Sequence, residues 1–119
     1  MPTNKEIEDA YEELIENYDS AISIALDEMK ARRALEKAED AVLISGSITG
    51  SNAEIRAANL RIATAEQRDA LYKETKAKKN IDGIVETNRL YIESLKWQIR
   101  NTENILRETE MRGRTETHE

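Results

Sequence analysis

The sequence predicts an all-α protein, a long helical hairpin or coiled coil that completes its core by oligomerising. Three observations carry that prediction. The composition is that of long helices: 35% of the 119 residues are charged, there is no Phe, and Trp and Pro occur once each. After Pro2, no Gly or Pro interrupts the chain until Gly46. The one stretch built like a loop, Ser45-Gly46-Ser47-Ile48-Thr49-Gly50, then separates two helical arms.

The first arm is expected to span about residues 4–45. Thr3-Asn4-Lys5-Glu6 has the pattern of a capping box, and Glu6, Glu8 and Asp9 sit where the helix dipole favours acids. Ile7, Tyr11, Leu14, Tyr18, Ile22, Ala25 and Met29 form an apolar stripe. Its steps lie closer to an eleven-residue repeat than to heptads. Small residues near the tip (Ala31, Ala34, Ala38, Ala41) would let a facing helix approach closely.

Residues 45–51 form the hairpin loop. Gly46 is placed for a left-handed C-terminal cap, and Ser51-x-x-Glu54 reads as the capping box of the second arm. That arm runs from about 52 to about 111, with a candidate kink at 80–83 because Gly83 is unfavourable inside a helix. A turn at Asp82-Gly83 would give a three-helix bundle instead. The tail, residues 112–119, is expected to fray. All 119 residues are read as one helical domain.

The clearest periodicity is Ile81, Val85, Asn88, Ile92, Leu95, Ile99, Thr102 and Leu106, in steps of four and three, a coiled-coil seam with two polar members. Leu90 and Trp97 lie one heptad apart on a different face. With a loop centred near Ser47, residue i of an antiparallel hairpin faces about 95 − i. The first arm then ends opposite Tyr91 to Leu95 and leaves Lys96 to Glu110 without an intrachain partner. Self-association through the second arm follows from this overhang, as a dimer or higher oligomer. The expected interface is Val85, Asn88, Leu90, Ile92, Leu95, Trp97, Ile99, Ile105 and Leu106.

Charge narrows the partner class. The net charge is −6, and Met1 to Glu28 holds nine acids against one lysine. That balance disfavours a general nucleic-acid binder, which shows a basic excess. Lys73, Lys76, Lys78 and Lys79 form the one basic cluster. At the expected register they lie beside Ile22 to Glu16, so they read as intramolecular charge complementarity, and a nucleic-acid accessory role is the weakest reading. Glu8, Glu12, Glu13, Glu16 and Asp19 form a candidate acidic partner-binding face, a pattern that solvation explains equally well.

No catalytic, cofactor or metal constellation stands out, so the expected protein is not an enzyme and uses no cofactor. The chain has no Cys, which removes thiolate metal sites and a cysteine nucleophile. Glu13-x-x-Glu16 and Glu36-x-x-Glu39 invite comparison with the all-α nucleotide pyrophosphohydrolases. Both pairs fall on one helix, however, about 30 Å apart. His118, the single histidine, has no partner at catalytic spacing, and Gly46-x-x-x-Gly50 lacks the Lys-Ser/Thr of a phosphate loop. The acidic first turns carry no apolar signal region, and the longest apolar run, Ala41 to Ile44, is too short to span a membrane. A cytoplasmic protein without a membrane role is expected.

The order of an acidic helix, L-I-S-G-S-I-T-G at Leu43 to Gly50, S-N-A-E-I-R-A-A-N-L-R at Ser51 to Arg61 and then a coiled coil resembles a group of small coiled-coil proteins of bacteriophages and prophages. In that group a Leu- and Ala-rich helix ends at an SG-x-x-x-G turn, followed by N-x-x-x-R and a second long helix. The resemblance implies a phage setting and the cytoplasm of a bacterial host, with no chemistry to carry over. Small acidic helical phage proteins act as inhibitors or adaptors of host proteins. The expected function is therefore a non-enzymatic interaction module of that kind, including an anti-defence factor. A self-assembling coiled-coil scaffold is the alternative.

Overall fold

A computed structural model describes residues 1–117, and the side chains of residues 1–113. The chain is all-α among the described residues, a long helical hairpin made of α1 (Asn4–Ser45), α2 (Ala53–Ala63) and α3 (Ala65–Thr117). It divides into two compact units. The first holds Met1–Tyr18 with the chain from Ile84 onward, the second Asp19–Gly83. In each unit a section of α1 pairs antiparallel with a section of α3.

Caps set the ends of α1. Thr3 Oγ1 accepts from the Glu6 backbone N–H at 3.1 Å, satisfying one of the orphan donors of the first turn. At the other end Gly46 adopts φ 67°, and its N–H returns to the Leu43 carbonyl at 3.2 Å. The Ser45 hydroxyl also donates to the Val42 carbonyl, at 2.7 Å. The second helix starts differently from expectation. Asn52, not Ser51, is its N-cap, with Oδ1 accepting from the Ile55 N–H at 2.9 Å.

The second arm is interrupted at Thr64, where φ is −113° and ψ 20°, and not at Asp82-Gly83. Thr64 is fully buried, at 0% exposure. Its hydroxyl donates to the Leu60 carbonyl one turn back at 2.8 Å, a bond that competes with regular helix geometry and bends it. The backbone ladder survives on both sides: Thr64 N–H reaches Leu60 O, and Arg68 N–H reaches Thr64 O. Gly83 lies inside α3, which also continues past Met111 to Thr117, where fraying was expected. A Cβ built on Gly83 meets nothing within 4 Å. Gly83→Ala should therefore stabilise the fold by about 1 kcal/mol and raise Tm by about 4–8 °C in a thermal melt.

Register corrects a second expectation. In the first unit Asn17 pairs with Asn88, and Lys96 lies over the Tyr11 ring. In the second unit Arg68 pairs with Glu39. Residue i thus faces about 106 − i, not 95 − i. The difference arises because α2 belongs to the tip. Arg56 Nη1 donates to the Gly50 carbonyl at 3.3 Å, and Asn59 Nδ2 donates to the Thr49 carbonyl, tying α2 to the loop instead of extending the second arm.

The line of α1 that faces α3 overlaps the stripe read from the sequence only in part. In the first unit it is Ile7, Ala10, Leu14 and Asn17, so Ile7 and Leu14 are shared with that stripe. In the second it is Ala21, Ile24, Glu28, Ala31, Leu35, Ala38 and Val42, all half-buried. Within each unit steps of three and four alternate without exception, a heptad line in which Ala and polar residues interleave with Ile, Leu and Val. Tyr11, Tyr18, Ile22 and Met29, assigned to the core by their spacing, are exposed.

Candidate interaction surface

In the first unit the core is thin. Ala10, Ile92 and Leu95 are buried together, with Ile7 and Leu14 packed against them. Val85 is buried beside this cluster on α3, and the buried Asn88 accepts from Asn17 Nδ2 through its Oδ1. A buried amide that found no partner would cost about 1–3 kcal/mol, so this pair favours the observed alignment over its neighbours.

That packing divides the nine residues expected to form an oligomer seam. Val85, Asn88, Ile92 and Leu95 are spent inside the chain, because the shifted register carries α1 over them. Ile99 is half-buried. Leu90 (60% exposed), Trp97 (64%), Ile105 (55%) and Leu106 (56%) face outward. With Asn4 lying opposite about residue 102, the stretch of α3 beyond α1 starts after Thr102, not at Lys96.

Between Ile84 and Ile105, one exposed face of α3 carries no charge. Ile84, Tyr91, Gln98 and Ile105 recur every seven residues, Thr87, Ser94 and Asn101 fall between them, and Leu90 and Trp97 widen the strip. Glu86, Arg89, Glu93, Lys96, Arg100 and Glu103 all lie on the other exposed side of the helix. In a chain that is 35% charged, an uncharged strip about six turns long is an anomaly.

On α1 of the same unit, Tyr11, Ile15 and Tyr18 form an exposed apolar line. A groove of about 200 Å³ runs beside it, lined by Tyr11, Leu14, Arg89, Ile92, Glu93 and Lys96. Lys96 Nζ lies 5.7 Å from the Tyr11 ring centroid, within cation–π range. Glu8 and Glu12 border the line, each three residues before one of its members. Glu8, Glu12, Glu13 and Glu16 are all exposed, and so is Asp19, the first residue of the second unit. None of the five enters any ion pair found among the described residues.

The second unit holds a cross-helix site that sequence reasoning missed. Thr64 Oγ1 accepts from Arg68 Nε at 3.0 Å, and Arg68 Nη2 reaches Glu39 Oε1 on α1, also at 3.0 Å. The hydroxyl and carboxylate hold the guanidinium from two sides. Arg at i+4 from a mid-helix Thr was the only signal in the sequence, and it is a weak one. Glu39, half of the second E-x-x-E pair, is thereby engaged structurally. Among the described residues no group of three or more His, Cys, Asp and Glu is arranged to hold a metal ion. At the tip, Leu43, Gly46, Ile48, Arg56, Ala57 and Leu60 line an apolar pocket of about 310 Å³.

The lysine cluster does not act as expected. Lys78 Nζ bonds Asp82 Oδ2 at 3.0 Å on its own helix. The Lys78 pKa is raised above the ordinary lysine value by that hydrogen bond first, then by the Asp82 charge, with Glu28 adding a little. Lys73, Lys76 and Lys79 are exposed on one face of α3, three residues apart, while Lys78 is half-buried and engaged by Asp82. His118 lies outside the described residues.

Fold and surface together define a class, an all-α helical hairpin with exposed uncharged and acidic faces. Comparison with protein-family models, curated proteins and solved structures found no match. Among the described residues no helix is long and apolar enough to cross a membrane.

Proposed function

We propose that this chain is a non-enzymatic protein-interaction module that acts as an inhibitor or adaptor of another protein. The observation that carries this reading is the division of bulky side chains on the first turns of α1. Ile7 and Leu14 pack toward α3, while Tyr11, Ile15 and Tyr18 stay outside. Single exposed apolar residues are ordinary, whereas an ordered line of them marks a binding surface.

The unpaired carboxylates beside that line favour a partner that is basic as well as apolar, since opposite charge steers encounter and selects against wrong partners. On the resemblance to phage coiled-coil proteins, the partner would be a protein of a bacterial host, and an anti-defence role fits that setting. A self-assembling scaffold is the second reading, favoured by the uncharged strip of α3.

Affinity capture from host extract separates the two, using the native chain and a variant carrying Glu8→Gln, Glu12→Gln, Glu13→Gln and Glu16→Gln. The module reading expects a basic partner held by the native chain and released by the variant, at unchanged helix content and unchanged oligomeric mass. Equal recovery by both chains, or no specific partner beside an intact oligomer, would favour the scaffold.

A further inference from the structure

The uncharged strip of α3 has an edge whose charges are ordered by sign. Glu86, Glu93, Arg100 and Arg107 recur every seven residues along it, acidic in the first half and basic in the second. All four are exposed, and none enters any ion pair found among the described residues. The opposite edge of the strip meets the seam that α1 covers.

We infer that this strip docks a second copy of the same chain in antiparallel orientation, setting Glu93 against Arg100 and Glu86 against Arg107 of the other copy, with Trp97 at the two-fold axis. The inference rests on the self-assembly reading that this strip favours, and it supplies the orientation of the second copy.

Three features converge on this arrangement. A two-fold axis across two antiparallel helices brings one edge of a helix against the same edge of its mate, with the direction reversed. An edge that runs from acidic to basic is then complementary to itself. The midpoint of Glu86 and Arg107 is also the midpoint of Glu93 and Arg100, between Lys96 and Trp97, so one alignment satisfies both pairs. The strip agrees with that alignment. Thr87 with Ile105, and Tyr91 with Asn101, are centred within half a residue of the same point. Trp97 then meets its own counterpart, a large apolar side chain at the centre of the patch where binding energy concentrates. A parallel copy would bring the charged edge against the edge that α1 occupies, and would leave like charges at equal heights.

Charge exchange tests the orientation. Glu93→Arg sets two guanidinium groups against each other at both symmetry-related pairs of the dimer, and Arg100→Glu does the same with carboxylates. Each should weaken the dimer about tenfold in sedimentation or light scattering, with unchanged helix content because both positions are exposed. Combining both changes in one chain restores the pairs and should return the affinity to near the native value. Mixing the two single variants should give a heterodimer tighter than either homodimer.

The chain has no native Cys, so Asn104→Cys provides one spin-label position. Antiparallel docking separates the two labels by about 22 Å along the helix axis, against about 10 Å for a parallel pair. A native chain that stays monomeric at all concentrations would overturn self-association itself. A dimer with the short label distance, or one that the combined variant does not restore, would overturn the antiparallel alignment while leaving the self-assembly reading in place.

Discussion

Leu95→Ala should cost about 2–4 kcal/mol, measured as a fall in the urea midpoint by far-UV circular dichroism at constant m-value. Leu95 is 4% exposed and belongs to the small cluster that joins α1 and α3 in the first unit. Ala10 and Ile92 are buried with it, and Ile7 and Leu14 pack against the cluster, so truncation removes contacts from most of this unit's small core. Leu90→Ala is the matched control on the same helix. Leu90 is 60% exposed, and its loss should stay within about 0.5 kcal/mol in the monomer. Equal effects at the two positions would contradict the observed seam.

Gly50→Ala is expected to be the most damaging change in the loop, at about 1–3 kcal/mol. Gly50 has φ 153°, and an added Cβ would come 2.7 Å from Ile55 Cγ2 and 3.0 Å from the Arg56 backbone nitrogen. The side chain can move, but the backbone of α2 is held by the Asn52 cap and the Asn59 bond to Thr49. Gly46→Ala meets nothing within 4 Å and carries only the left-handed strain at φ 67°, about 1–2 kcal/mol. Thermal melts of the two variants should therefore rank Gly50→Ala below Gly46→Ala. The reverse order would mean that the close approach at Gly50 relaxes freely.

The fold class was legible because it rests on long-range periodicity and on the absence of Gly and Pro, signals that packing does not override. Thr3 and Gly46 were readable as caps for a similar reason, since each satisfies its orphan backbone groups within a few residues. The register was not readable. It depends on whether α2 extends the second arm or closes the tip, and that is decided by Thr64, a residue with no breaker signature whose effect requires burial and the Arg68–Glu39 bridge.

The α1 stripe was misread for a different reason. Bulky apolar residues recur on more than one line of this helix, and spacing alone does not say which line meets the partner. Ile7, Leu14, Ile24 and Leu35 face α3 together with small and polar residues, while Tyr11, Tyr18, Ile22 and Met29 remain outside. The proposed site inherits both effects. Leu90, Trp97, Ile105 and Leu106 stay exposed, as their spacing expected, whereas Val85, Asn88, Ile92 and Leu95 were assigned to another chain because the register was set too short.

The two polar bridges also bear on how the chain reaches this state. Glu39 and Arg68 close a short loop of chain around the tip, whereas Asn17 and Asn88 close a loop more than twice as long. Loop-closure entropy grows with the logarithm of that length, and distant contacts form only after nearer ones have shortened the effective loop. Folding should therefore zip outward from the tip, with the Asn17–Asn88 bond among the last to form and among the first to open. The stretch around Trp97, on the far side of that bond from the tip, then opens at a lower free-energy cost than the tip does.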